Sequence, residues 1–137
     1  MSLLSIFNIS GSALTAQSLR LNVTASNLAN AETVSSSIDR TYRARHPIFQ
    51  ALLDPMDENN PGSGVKVQAI VESKEQLRMR YEPENPLANA EGYIFMPNVN
   101  VVEEMANMIS ASRSYQNNVE VFNTSKQLLM QTLRMGQ

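Results

Sequence analysis

All six prolines of this 137-residue chain lie between positions 47 and 97. Proline in a helix interior removes a backbone donor and clashes with the preceding turn, at a cost of about 3 kcal/mol. Both ends are thus free of the strongest helix breaker, and the chain is predicted to be helical at its ends and not in its middle. Charge divides the same way. The first 39 residues carry only Arg20, Glu32 and Asp39, whereas the span from Arg40 to Glu91 carries fifteen charged side chains.

The C-terminal end shows the stronger period. Val101, Met105, Met108, Ser112, Tyr115, Val119, Phe122, Lys126, Leu129 and Leu133 alternate spacings of four and three, which is coiled-coil periodicity broken only by Ser112 and Lys126. Asn100 suits the N-cap, with Glu103 placed for a capping box and Glu103 and Glu104 at the positive end of the helix dipole. Gly136 is placed to stop the helix. Such a helix would be about 50 Å long, more than a small globular domain needs, and implies a rod-like partner surface.

At the N-terminal end Phe7, Leu14, Leu21 and Leu28 recur every seven residues, and Gly11, Ser18 and Ala25 follow the first three by four. Large and small positions alternating along one stripe suit a close helix–helix contact, and the same stripe also fits an ordinary amphipathic core helix. Gly11 costs about 1 kcal/mol of helix propensity relative to Ala, which makes sense if close approach is what it supplies. Further apolar residues lie off both seams, including Ile6, Ile9, Leu19 and Val23 in the first helix and Val102, Ile109, Val121, Leu128 and Met130 in the second. Pairing the two helices cannot cover them all. Burying such a side chain is worth about 1.5–3 kcal/mol, and ordering each backbone residue costs about 1–2 kcal/mol. A lone helical hairpin is therefore expected to be marginal, with ends that are mobile in the isolated chain and gain order on assembly.

Between the helices, GVKVQAIVE and QLRMRYE alternate drier and wetter positions and read as a hairpin turning near Ser73 and Glu75. Tyr93 and Phe95 are placed to add a short third strand, with positions 41–45 a weaker candidate before Pro47. The run DPMDENNPGSG, residues 54–64, is turn chemistry and is expected to be a mobile loop. The fold class is α+β: long terminal helices forming a coiled-coil-like α domain, with a small antiparallel β module inserted between them. The divisions expected are 1–39, 40–96 and 97–137.

Several functions are excluded by what the chain lacks. A net charge of -2 does not supply the clustered cations that phosphate contacts demand, so no nucleic-acid partner is expected. Arg40, Arg43 and Arg45 form the only basic cluster and read as a solvated strand face. Without cysteine there is no disulfide or thiol nucleophile, and the single histidine, His46, cannot complete a Cys/His zinc site. There is no phosphate-binding glycine loop. No catalytic residue, cofactor or metal is expected. No apolar run approaches the ~20 residues that span a bilayer, so no membrane insertion is expected, and the start lacks the basic residues of a secretory leader.

Two stretches carry a family resemblance. SALTAQSLRLNVTASNLANAET resembles the N-terminal signature of the axial proteins of the bacterial flagellum, and the run from AEGYIFMPNVNVVEEM to the C-terminus is similar to the short subunits of its proximal rod. The likeness extends through GVKVQAIVE and YEPENP and is least at residues 34–60. It implies a structural, non-enzymatic subunit for motility, exported unfolded through the flagellar type III apparatus without a cleaved leader. The subunit would enter a helical tube that crosses the periplasm and transmits torque. Expected partners are copies of itself, other rod proteins, the export apparatus, and basal-body ring and rod-junction components. The terminal helices would form the inner layer around the channel and the β module would lie outside. The expected assembly interface is Phe7, Gly11, Leu14, Ser18, Leu21, Ala25, Asn27 and Leu28 on the first helix, and Val101, Met105, Met108, Tyr115, Val119, Phe122, Leu129 and Leu133 on the second. Asn22, Asn27 and Asn30 would supply uncharged hydrogen bonds at subunit contacts or a channel surface. A soluble helical secretion chaperone or export adaptor, and a peptidoglycan-trimming enzyme, are the readings from other classes.

Overall fold

The computed structural model describes residues 3–52 and 64–136. Helix α1 spans Leu3–Asn30, a single 3-10 turn spans Ile38–Arg40, strands β1 to β4 span Arg45–Ala51, Val65–Glu72, Arg78–Tyr81 and Tyr93–Met96, and helix α2 spans Val101–Met135. This is the α+β arrangement expected, two long helices with small antiparallel sheets between them. The expected loop at 54–64 lies outside the described residues except for Gly64.

The helices run antiparallel. Near one end the rings of Phe7 and Phe122 meet edge to face at 4.9 Å, and nearer the other the Arg20 guanidinium donates to Asn107 Oδ1 at 3.0 Å. At that offset the α2 residues beyond about position 125 run past the described start of α1. Asn100 caps α2 through bonds accepted from the backbone N–H groups of Val102 and Glu103. Helix α1 stops at Asn30, well short of residue 39, because Ala31 N–H turns back to the Leu28 carbonyl and Thr33 bonds the Asn30 carbonyl through both its backbone N–H and its hydroxyl.

The strand pairing differs from the hairpin expected between β2 and β3. Strand β2 pairs with β1, and β3 pairs with β4 in a second two-stranded sheet. The reason lies at Ser73 and Glu75. Arg43 donates to both of their carbonyls, and Asn98 donates to that of Glu75, so the expected turn is held as a link between sheets. Strand β1 also includes Pro47, opposite Ile70. A two-stranded sheet has only edge strands, where a missing N–H is tolerated. The ladder shifts between Ile48 and Phe49, a bulge that bends the hairpin. Residues 93–96 do form a strand, but as the partner of β3, and Ser35 bridges to Phe95.

The small core gathers where α1 ends, β1 begins and α2 begins: Ala31, Ala44 and Val99 pack with Tyr42, and Ile94, Phe95 and Pro97 are buried nearby. Beside it lies a polar hub. Asn27, 0% exposed, donates from Nδ2 to the Arg45 carbonyl at 2.8 Å. Its Oδ1 accepts from Tyr42 OH at 2.8 Å and Arg45 N–H at 3.0 Å. The hub holds the β1–β2 hairpin against α1. A second tie lies further along α1, where Ser12 Oγ accepts from Val65 N–H and donates to the Ile9 carbonyl.

Candidate assembly surface on the terminal helices

The residues buried between the helices are mostly small or polar and lie beside the expected seams, not on them. On α2 the buried residues are Glu104, Ala111 and Ser125, and Asn118, half-buried, completes the same seven-residue row. The large row one turn on, Met108, Phe122 and Leu129, is half-buried along the flank, as is Val119. Val101, Met105, Tyr115 and Leu133 are exposed, although the spacing placed them in the seam. The off-seam residues Val102, Ile109, Val121, Leu128 and Met130 are exposed too, with Val102 at 76%.

Helix α1 behaves alike. Among the described residues its buried side chains are Ser10, Ala16, Val23, Thr24 and Asn27. Of the stripe expected at an interface, Phe7, Gly11, Leu14, Leu21 and Leu28 are half-buried, and Ser18 and Ala25 are exposed. A Cβ built on Gly11 meets nothing within 4 Å, so no contact within the described chain requires glycine there. Asn27 differs from the expectation of a subunit contact, because its carboxamide is enclosed by its own chain at Tyr42 and Arg45. Asn30 bonds back to the Ser26 carbonyl, and Asn22 is exposed.

Sequence periodicity missed the small row because Ala111 and Ser125 score poorly as core positions. The signal for it was their spacing from Glu104 in multiples of seven, matched on α1 by Ser10 and Thr24, fourteen apart. Small residues permit close backbone approach, and the large side chains are then displaced to the flanks. The consequence is an unusual distribution: the longest helix buries one alanine, one serine and one glutamate, and presents most of its large apolar groups outward. Monomeric proteins rarely expose this many large apolar side chains on one helix. Among the described residues no cluster of acidic, histidine or cysteine side chains could hold a metal, and no helix is long and apolar enough to cross a membrane. His46 stands exposed on β1 opposite Val71.

Both helices match known families. Residues 7–34 match the model described as flagella basal body rod protein, and residues 90–135 match that of the flagellar basal body rod FlgEFG protein C-terminal region. These matches define a flagellar rod-type axial protein, built from paired terminal helices around a small β insert. Over its full length the chain is 55% identical to the flagellar basal-body rod protein FlgC of Escherichia coli O6:H1, with all of both chains covered. The identity to FlgC of Salmonella typhimurium is 53% over the same full length. To FlgC of Buchnera aphidicola subsp. Schizaphis graminum it is 49% over 139 aligned positions, again covering both chains. The chain belongs to the FlgC family of flagellar basal-body rod proteins, and its role is structural, not enzymatic. The chaperone and cell-wall enzyme readings find no support in this match.

Proposed function

We propose that the chain enters the flagellar rod by burying the outward apolar rows of α2, together with the small stripe of α1, against neighbouring subunits, so that terminal helices line a tube and the β sheets lie outside. The neighbours are copies of this chain and other rod proteins. The observation that carries this reading is the outward face of α2: Val102, Met105, Ile109, Leu128 and Leu133 are exposed while the small row beneath is occupied by α1. Each such side chain gains about 1.5–3 kcal/mol on full burial. A few per neighbour offset much of the entropy of association. Gly11, Ser18 and Ala25 suit the closest approaches because they keep a second backbone near without displacing a side chain. The exposed apolar surface also supports terminal helices that fray in the isolated chain and gain protection on assembly. Cysteine-free, late-ordering ends suit passage unfolded through the flagellar type III apparatus and delivery to a rod that crosses the periplasm and transmits torque.

Ile109→Asp tests the reading, since Ile109 is exposed in the single chain and its replacement leaves the core intact. The variant is expected to keep its circular dichroism and melting temperature but to be missing from isolated basal bodies, with motility lost. Normal incorporation would refute the proposed burial of this face.

A further inference from the structure

Of the basic cluster, Arg40 ends the 3-10 turn and Arg45 begins β1, both exposed as expected, and Arg43 between them is half-buried. The three arginines line one cavity of about 630 Å³ between the end of α1, the 3-10 turn and the start of β1. Two of them are engaged: Arg43 donates to the Ser73 and Glu75 carbonyls, and Arg45 is paired with Glu72 at 3.1 Å and lies over the Tyr42 ring. The Arg40 side chain has no hydrogen-bond or ion-pair partner among the described residues. Asp39 and Glu72 are the acidic members of the wall, so three guanidinium groups face two carboxylates and leave one positive charge for a ligand.

At the far end of the β3–β4 sheet stands a feature of opposite sign. The turn between Tyr81 and Tyr93 carries Glu82, Glu84 and Glu91. It is stiffened by its own contacts: Asn85 Oδ1 accepts from Leu87 N–H, Asn89 Oδ1 accepts from Glu91 and Tyr93 N–H, and Glu82 N–H donates to the Gly92 carbonyl. Glu82 is held by Arg80 and Asn85, whereas the carboxylates of Glu84 and Glu91 have no partner among the described residues. Beside them Tyr81 is 62% exposed, its ring braced edge to face against Tyr93 at 5.2 Å. A rigid projection with free carboxylates and an open aromatic face suits a guanidinium, which can accept a carboxylate through its planar fork and also stack on a ring. Its rigidity lowers the ordering cost of binding.

We infer that the acidic turn at residues 82–92 of one copy docks on the arginine-lined cavity of a second copy, with Arg40 received by Glu91 or Glu84 and the Tyr81 ring. The two surfaces are different patches of one chain, so the contact is heterologous and propagates, as a helical assembly requires. This inference rests on the rod reading above but involves none of the α2 apolar face.

The cysteine-free background permits a direct test in flagellated cells. Asp39→Cys and Ala90→Cys are introduced together into the full chain, leaving Arg40 and Glu91 in place, and isolated basal bodies are treated with a short thiol-specific cross-linker. The expected result is a ladder of dimers and larger species of this chain, absent from either single variant. Adding Arg40→Glu is expected to weaken the ladder about tenfold, and adding Glu91→Arg to that variant to restore it. Incorporation without a ladder, cross-linking only to another rod protein, or a ladder indifferent to Arg40→Glu overturns the docking while the rod reading stands. A chain missing from basal bodies even without the added cysteines overturns both.

Discussion

Replacing Asn27 separates a role inside the chain from a role between chains. Its carboxamide makes three hydrogen bonds to Tyr42 and Arg45 and is fully enclosed. Asn27→Ala strands the Arg45 N–H and carbonyl. Tyr42 OH keeps Ser26 Oγ at 3.2 Å. An unsatisfied buried backbone group costs about 1–3 kcal/mol, so two of them near the partly solvated Arg45 amount to about 2–4 kcal/mol. In a chain of this size that lowers the melting temperature by roughly 10 °C. Asn27→Asp keeps both acceptor contacts but sets a carboxylate oxygen against the Arg45 carbonyl and encloses a charge. At neutral pH it should destabilise at least as much as alanine. Burial and the opposing carbonyl raise the pKa of the introduced carboxyl, so the loss grows as pH rises above about 3.9 and shrinks in acid, where a protonated carboxyl can donate. Thermal unfolding followed by circular dichroism at pH 4.5 and 7.5 measures both effects. Were Asn27 a subunit contact instead, both variants would melt like the parent and fail only in assembly, and that result would refute the hub.

Other positions give further outcomes. A Cβ on Gly64 would lie 2.9 Å from Ser12 Oγ, so Gly64→Ala must displace that hydroxyl from Val65 N–H. A loss of about 1–2 kcal/mol in denaturant titration is expected, and an unchanged midpoint would count against the tie. Gly92 has φ of 82°, and its added Cβ would meet the Tyr81 ring at 2.8 Å. Gly92→Ala should therefore lose about 1–3 kcal/mol and alter the near-ultraviolet tyrosine signal; an unchanged spectrum would contradict the close ring contact. The hydrogen bonds from Asn85 and then Arg80 hold the Glu82 carboxyl below the ordinary glutamate range. Because the folded pKa is the lower one, this contribution is complete above the unfolded value of about 4.3 and is lost as pH falls through the folded value. The Asn85 side-chain amide resonance is expected to titrate in that acid window, and a midpoint at the ordinary value would rule the arrangement out.

Much of this architecture is legible in the residue order, because helices and strands answer to local rules. The confinement of proline to 47–97 and the four-three spacing after Asn100 predict α2 and its cap, and alternation predicts that residues 65–72 and 78–81 are extended. Flagellar membership is legible as well, since the matching segments are those same helices. Strand partners are not legible in this way. Pairing is a contact between distant residues, and the side chains that decide it, Arg43 and Asn98 on the Ser73 and Glu75 carbonyls, lie far along the chain from them.

The orientation of each helix belongs to the tertiary structure for a similar reason. A seven-residue period tells which side chains share a face, but burial is non-directional, and an apolar row gains as much from a neighbouring subunit as from its own chain. By itself the sequence determined two long amphipathic helices with more apolar surface than one contact can cover. Only the folded chain decided that Ala111 and Ser125 face inward, that Val102 and Ile109 face outward, and that Asn27 is spent within the molecule, because close approach of two particular backbones settled which rows could fit between them.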